Sequence, residues 1–136
     1  MARVLKKHCV NVICVEIDDY LQKKLLDDGF HVIPGDFLQV PPAASLRVDL
    51  IFMNPPFTNG QDIDHVLHAF RFLKPGCSLY AIMSPGWMYQ TGKKNDRWRA
   101  VLGAFGKILE QLSEGAFKES GTNVRTVFIK LTHPDW

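Results

Sequence analysis

Apolar and polar residues follow one another along this chain in blocks that predict strands separated by helices. Residues 10–17 (VNVICVEI) and 48–53 (VDLIFM) are nearly continuous in apolar and β-branched side chains, which is typical of strands buried on both faces of a sheet. Residues 19–28 and 62–73 instead carry apolar side chains at the spacing of an amphipathic helix. Strands that alternate with helices of this length indicate βαβ units and a parallel sheet.

The remaining apolar segments are assigned by length and periodicity: strands at residues 30–33, 78–83 and 126–131, and a helix at 98–112. Residues 86–97 are polar, basic and aromatic, which favours a mobile loop. The last strand is expected to pair with a strand near 115–118 as an antiparallel hairpin. We therefore predict one α/β domain over residues 1–136, with a mostly parallel sheet and a C-terminal antiparallel hairpin.

The composition is that of an ordinary globular protein. Of the 136 residues, 46% are apolar and 22% are charged, and the net charge of +2 is too small to indicate a nucleic-acid partner by itself. No apolar run approaches the roughly 20 residues of a membrane helix, and the N-terminus lacks the apolar stretch of a signal peptide. Three cysteines at irregular spacing favour reduced thiols in a cytoplasmic protein over a disulfide framework or a zinc site.

A proline-locked loop, Asn54-Pro55-Pro56-Phe57, directly follows the strand predicted at 48–53. Ligands of open α/β sheets bind at the carboxyl ends of the strands, where this loop begins. Two prolines stiffen the backbone, and the residue before them is driven towards an extended conformation. The Asn54 side-chain oxygen and the Pro55 carbonyl can then each accept one hydrogen of a planar amino group, while Phe57 stacks on the ring that bears it. The loop therefore favours chemistry on an exocyclic amine.

Four segments stand in an order that is known from one enzyme family: residues 15–18 (VEID), 35–37 (GDF), 49–57 (DLIFMNPPF) and 115–131. Through these motifs the chain resembles the class I S-adenosylmethionine-dependent amino-methyltransferases, in particular the N6-adenine DNA methylases. The resemblance covers nearly the whole chain. It implies a Rossmann-like fold, S-adenosylmethionine (AdoMet) as cofactor, and methyl transfer to an amino group of a nucleic acid, with adenine N6 in DNA as the first candidate.

The resemblance also implies which residues bind the cofactor. In the family, the acid at the end of the second strand binds the ribose hydroxyls of AdoMet, which corresponds to Glu16 with its neighbour Ile17. The acid after the third strand binds the adenine amino group, which corresponds to Asp36, and Phe37 next to it lines the adenine pocket. The alternative interpretations are that Glu16 caps the following helix and that Asp36 is a turn residue.

The loop of Asn54, Pro55, Pro56 and Phe57 corresponds to the Asn-Pro-Pro-aromatic motif that holds the target amine in this family, and Asn54 is also expected to contact the cofactor. Such a loop recognises an amine on a planar group and does not distinguish the acceptors that carry one. Guanine N2 in ribosomal RNA and a protein glutamine amide therefore remain alternatives to adenine N6.

One part of the family pattern is not found in the sequence. A full member has a further strand and an acidic-Gly-x-Gly loop against the cofactor, before the strand that ends at Glu16. Three interpretations stay open: a gene fragment, a non-catalytic descendant that binds a partner chain or nucleic acid, or one half of a pair that completes the sheet. Without the central strand, its neighbours would expose apolar edges, and we expect self-association through them.

Other candidate residues carry a weaker signal. His65 and His68 lie three apart on a predicted helix, but no third ligand accompanies them, so solvated or packed histidines are favoured over a metal site. Asn123 and Arg125 lie at the predicted hairpin tip, which borders the substrate site in the family. A basic and aromatic stretch either contacts phosphates and bases or is a solvated loop; its members are Trp87, Tyr89, Lys93, Lys94, Arg97, Trp98 and Arg99.

Overall fold

The chain divides into two compact units, Met1–Pro41 and Pro42–Trp136, and each unit has its own sheet. The computed structural model describes residues 1–9, 11–112 and 126–135. None of the helices in this described part has the length and apolar content needed to cross a membrane.

The first unit is a two-stranded parallel sheet with two helices. Its elements are α1 (Ala2–Lys6), β1 (Ile13–Glu16), α2 (Asp19–Asp27) and β2 (His31–Pro34). The Asp18 carboxylate accepts a hydrogen bond from the Leu21 amide at 2.9 Å, and this cap starts α2 directly after β1. β1 pairs in parallel with β2, with Glu16 opposite Pro34. Both strands therefore end at the same edge of the sheet.

Burial in the first unit is limited. Phe30 is buried, and the Lys6 ammonium lies 4.9 Å from the centroid of its ring. Ile13 of β1 is 45% exposed, so the prediction of a strand buried on both faces is wrong for this segment. The reason is that, among the described residues, β1 has a hydrogen-bonded neighbour on one side only.

The second unit is a four-stranded mixed sheet with two helices. Its elements are β3 (Val48–Met53), α3 (Gln61–Phe70), β4 (Leu73–Met83), α4 (Lys93–Phe105), β5 (Gly106–Leu112) and β6 (Thr126–Thr132). The strand order is β3-β4-β6-β5. β3 and β4 are parallel, whereas β6 is antiparallel to both β4 and β5. The predicted α/β class, with parallel strands followed by a C-terminal antiparallel hairpin, is confirmed.

One face of this sheet forms the core under α3 and α4. Its fully or almost fully buried side chains are Leu79, Ala81, Met83, Val127, Ile129 and Leu131. The opposite face carries an aromatic row in which the Phe52 and Tyr80 ring centroids lie 5.1 Å apart and those of Tyr80 and Phe128 6.1 Å apart. Phe52 is 37% exposed and Leu50, on the same face, is 39% exposed. β3 has its predicted bounds but is not buried, because within the described part of the chain it pairs only with β4.

The helix predicted at 98–112 is confirmed as far as Phe105 and is wrong beyond it, because β5 begins at Gly106. Gly106 adopts an extended conformation, and a Cβ atom here would lie 2.2 Å from the Lys130 carbonyl oxygen. The glycine thus allows the chain to leave the helix and approach β6 closely. The strand predicted near 115–118, and the hairpin tip with Asn123 and Arg125, lie outside the described residues.

The boundary predicted between α3 and β4 also differs. α3 ends at Phe70, and β4 begins at Leu73 instead of Ser78. A register irregularity accommodates Pro75-Gly76 inside β4, since Val48 lies opposite Leu73 but Leu50 lies opposite Ser78. Such a bulge lets a strand contain residues that do not fit a regular ladder.

Candidate active site

The loop Asn54-Pro55-Pro56-Phe57 leaves the carboxyl end of β3, where the sequence predicted it. Pro55 is buried, whereas Asn54 and Pro56 are exposed and Phe57 is half-buried. The buried ring of Pro55 fixes the loop to the unit. The Asn54 side chain remains accessible to a ligand.

A left-handed turn connects this loop to α3. Asn59 and Gly60 have φ angles of 55° and 70°, and the Gly60 amide donates to the Phe57 carbonyl at 3.2 Å. Asparagine and glycine are the residues that adopt this conformation at least cost. The turn lets α3 begin at Gln61, so the loop is held between a strand and a helix.

A buried carboxylate, missed by the sequence analysis, lies in the first turn of α3. Asp62 is fully buried, and its Oδ2 accepts hydrogen bonds from the Ser84 amide and hydroxyl, both at 2.8 Å. Its Oδ1 accepts from the Ile63 amide at 3.0 Å. Ser84 follows the end of β4, so Asp62 ties α3 to the segment after that strand. The sequence signal for its burial is its position on α3. Asp62 lies four residues before Val66 and seven before Ala69, on the face of the helix that points inward.

The basic and aromatic stretch is packed within the second unit, and its residues 93–97 belong to α4, so the loop predicted at 86–97 is wrong for those residues. Trp87 and Trp98 are buried and meet edge to face with centroids 5.7 Å apart. The Arg99 guanidinium donates to the main-chain oxygens of Trp87 and Gln90. The Lys94 ammonium pairs with Asp64 of α3 at 2.7 Å. These contacts anchor the chain between β4 and α4.

In the first unit, Glu16 and Asp36 follow neighbouring parallel strands. Glu16 ends β1, and its Oε1 accepts a hydrogen bond from the Asp18 amide at 3.0 Å. Asp36 lies two residues after β2, and its Oδ1 accepts from the Leu38 amide at 2.9 Å. Both carboxylates therefore accept a local main-chain hydrogen bond, but the residue that caps α2 is Asp18 and not Glu16. No described residue bonds the second oxygen of either carboxylate.

The surroundings of these carboxylates are partly open. Ile17 is 67% exposed and Phe37 is half-buried. Burial, and secondly the Glu16 carboxylate, raise the pKa of the Cys14 thiol, which lies two residues before Glu16 on the same strand face. The thiol therefore stays protonated at neutral pH, which does not suit a nucleophile.

The two histidines lie on α3. The His68 ring meets Phe72 edge to face at 5.3 Å, which is a packing contact. Within residues 1–9, 11–112 and 126–135, no three side chains of His, Cys, Asp or Glu are grouped as a metal site would require.

Several solved methyltransferases have a similar fold. A methyltransferase subunit of a type I restriction-modification system from Streptococcus thermophilus has a TM-score of 0.70 and 18% identity, over 88% of this chain and 33% of that protein. The 23S rRNA methyltransferase ErmE has a TM-score of 0.66 and 16% identity, over 98% of this chain and 58% of that protein. A 16S rRNA methyltransferase of T. thermophilus, solved with AdoMet and guanosine, has a TM-score of 0.60 and 18% identity, over 90% of this chain and 29% of that protein.

At sequence identities of 16% to 18%, the similarity to these proteins concerns the fold alone. The chain has a methyltransferase-like α/β fold, and it spans between 29% and 58% of the length of these three proteins. Its sequence matches no protein-family model and no curated protein. The predicted resemblance to AdoMet-dependent methyltransferases is confirmed at the level of the fold, and the roles of the individual site residues stay predictions.

Proposed function

We propose that this chain supplies the amine-binding loop and the adenosine contacts of an AdoMet-dependent N-methyltransferase. The acceptor is an exocyclic amino group of a nucleic acid, with adenine N6 in DNA as the first candidate. The observation that carries the proposal is the loop Asn54-Pro55-Pro56-Phe57 at the carboxyl end of β3. The structural neighbours support it, since they include a restriction-modification methyltransferase subunit and two rRNA methyltransferases.

The loop activates the amine by binding its hydrogens. The lone pair of an exocyclic amine is delocalised into the base, so the nitrogen is a poor nucleophile. The Asn54 Oδ1 and the Pro55 carbonyl oxygen each accept one N–H, which draws the lone pair back onto nitrogen and directs it out of the ring plane. Phe57 stacks on the base. Methyl transfer would form the N–C bond as the C–S bond of the sulfonium breaks, the sulfur would keep that electron pair as a thioether, and one amine proton would leave to solvent.

Residues of the first unit suit the adenosine part of AdoMet. The second carboxylate oxygens of Glu16 and Asp36 suit two ribose hydroxyls and the adenine amino group, respectively. Gly35 precedes Asp36, and apart from its chain neighbours no atom of the described residues lies within 4 Å of the position that a Cβ would take, so a flat ring can approach the backbone there. When bound, AdoMet supplies the methyl group as an electrophilic sulfonium carbon.

The buried Asp62, which follows the loop on α3, is not available as a general base. Both oxygens of Asp62 already accept hydrogen bonds, from Ser84 and Ile63. Positioning and polarisation of the amine therefore carry the reaction. Such a mechanism suits the loop of residues 54–57, which offers hydrogen-bond acceptors and contains no titratable side chain.

Transfer of a labelled methyl group from AdoMet to DNA and to RNA tests the proposal. Asn54→Ala should lower the rate by about 100-fold, a typical loss when one preorganised hydrogen bond is removed from a site. The AdoMet affinity measured by calorimetry should remain nearly unchanged, because the proposed adenosine contacts lie on Glu16 and Asp36. Asn54→Asp retains an acceptor oxygen and should keep measurable transfer.

Asn11→Ala is the matched control, since Asn11 is an exposed asparagine outside the proposed site. It should transfer methyl groups at the wild-type rate. No transfer by the wild-type chain to either nucleic acid would contradict the proposal and favour a non-catalytic, binding descendant. A joint loss of transfer and AdoMet binding in Asn54→Ala would reassign the loop to the cofactor.

A further inference from the structure

The chain after β4, residues 84–92, is a rigidly anchored segment at the carboxyl end of the second sheet. β4 lies beside β3 with Met53 opposite Ala81, so this segment and the amine-binding loop leave the same sheet edge. Its first residue, Ser84, is fixed by two hydrogen bonds to the buried Asp62. Its middle is fixed by Trp87, which is buried against Trp98.

Arg99 of α4 fixes the backbone on both sides of Tyr89. Its guanidinium donates to the carbonyl oxygens of Trp87 and Gln90, the latter at 2.9 Å. A second guanidinium nitrogen donates to the Asp96 carboxylate, which orients the arginine. The main chain at Tyr89 is therefore held by contacts two residues before it and one residue after it.

Tyr89 lies between these two anchored main-chain positions. It is 68% exposed, and none of the described rings or cations packs on it. An aromatic ring on a fixed backbone loses little conformational entropy on binding, because only two side-chain torsions are ordered. Its two faces suit the face of an unstacked nucleobase.

Two exposed cations follow Tyr89 on the first turns of α4. Lys93 and Arg97 are exposed and four residues apart, so their like charges lie on the same helix face. Neither forms an ion pair with any described residue, in contrast to Lys94, which pairs with Asp64. Two neighbouring positive charges of this kind suit the phosphates of a nucleic-acid strand.

We propose that Tyr89, Lys93 and Arg97 form a binding surface for a single-stranded stretch of nucleic acid next to the acceptor base. A neighbouring base stacks on Tyr89, and the backbone phosphates bind Lys93 and Arg97. A duplex does not fit this surface as well, because its bases are stacked on each other and hide their faces. The inference rests on the proposed function for the nature of the ligand, but it concerns binding and needs neither AdoMet nor turnover.

Fluorescence anisotropy with a labelled 12-nucleotide single strand, and with the same sequence as a duplex, tests the surface. The wild-type chain should bind the single strand more tightly. Tyr89→Ala should weaken single-strand binding by about 10-fold, as expected for the loss of one base–aromatic stack, whereas Tyr89→Phe should bind like the wild type. Lys93→Gln with Arg97→Gln should reduce the salt slope by about 1.4, the value for two phosphate contacts on a single strand.

Two matched controls separate this surface from general effects. Tyr20→Ala removes a tyrosine that is 66% exposed on α2, and it should leave binding unchanged. Arg47→Gln with Arg71→Gln removes the same charge at the amino ends of β3 and β4, and it should leave the salt slope unchanged. Equal loss in these controls, unchanged binding by Tyr89→Ala, or equal binding of the duplex would overturn the inference.

These experiments distinguish failure of the binding surface from failure of the proposed methyl transfer. Asn54→Ala should keep Tyr89-dependent binding of the strand even where it loses methyl transfer. A chain that binds the strand through Tyr89 without any methyl transfer would retain this surface and refute the proposed catalysis. A chain that transfers methyl groups but whose strand binding does not depend on Tyr89 would support the proposed catalysis and refute this surface.

Discussion

Gly106 shows how one residue determines where a helix gives way to a strand. An added Cβ would lie 2.2 Å from the Lys130 main-chain oxygen and 2.6 Å from the Leu131 side chain. A backbone oxygen in a paired strand cannot move away as the end of a side chain can. The close approach of β5 and β6 therefore depends on the absence of a side chain at this position.

Gly106→Ala should lower the free energy of unfolding by about 1–3 kcal/mol, the usual cost of overpacking, because β5 and β6 must separate to admit the methyl group. Urea denaturation measures the change. Gly103→Ala is the control: outside its own helix, no atom of the described residues lies within 4 Å of its Cβ position, and alanine within a helix should stabilise by up to about 1 kcal/mol. Equal midpoints for the two variants would contradict the close approach.

The candidate loop could be predicted at residue level because its signals are local. A strand pattern runs into two prolines, and proline restricts both its own backbone and that of Asn54. Asp62 could not be identified in the same way. Its meaning depends on Ser84, which lies 22 residues further along the chain. A carboxylate near a helix start would otherwise be read as a favourable charge for the helix dipole.

Most strands and helices were predictable, but their ends depend on non-local pairing. α2 begins at Asp19, as predicted, because the Asp18 carboxylate accepts a hydrogen bond from the Leu21 amide on the same turn. β5 was assigned to a helix because Ile108 and Leu112 continue the apolar period of α4. β5 forms because β6 provides its hydrogen-bond partners. A local sequence pattern cannot indicate a pairing partner that lies this far along the chain.

At the level of elements, Asp62 connects α3 to the end of β4, and Asp62→Asn tests this connection. The amide has one acceptor oxygen where the carboxylate uses two, so a buried N–H from Ser84 or Ile63 loses its partner. The free energy of unfolding should fall by about 1–3 kcal/mol. Hydrogen exchange at the Ser84 amide should become faster, because its acceptor is weakened.

Asp64→Asn on the same helix is the control for this variant. Asp64 pairs with Lys94 at the surface, where both side chains are about 40% exposed, so the loss should be at most about 1 kcal/mol. Equal destabilisation by both variants would show that the buried position of Asp62 has no special effect. It would also remove the argument that the chain after β4 is anchored through this carboxylate.

At the scale of the whole molecule, the two units differ in the number of apolar side chains that they bury. Of the 16 buried apolar side chains among the described residues, two, Phe30 and Val40, lie in the first unit. A unit of about 40 residues rarely buries enough surface to be stable alone. The division into two sheets was not visible in the sequence, because the apolar strands 10–17 and 48–53 give the same pattern whether or not a strand lies next to them.

Among the described strands, β3 has one edge that no strand pairs with. Apart from Asp49, its side chains are apolar on both faces, Leu50 and Phe52 are partly exposed, and no described strand other than β4 pairs with β3. An apolar strand with unpaired main-chain groups is a template for another chain. Sedimentation velocity of the wild-type chain should therefore show a weight-average mass that rises with concentration.

Leu50→Lys should suppress this rise, because a charged side chain on an edge strand opposes strand pairing. Leu26→Lys introduces the same charge at a leucine that is 59% exposed on α2, and it should associate like the wild type, which excludes a simple effect of net charge. A wild-type chain that stays monomeric at high concentration would contradict association through β3. If both lysine variants abolished association equally, charge repulsion would explain the result, and β3 would lose its assigned role.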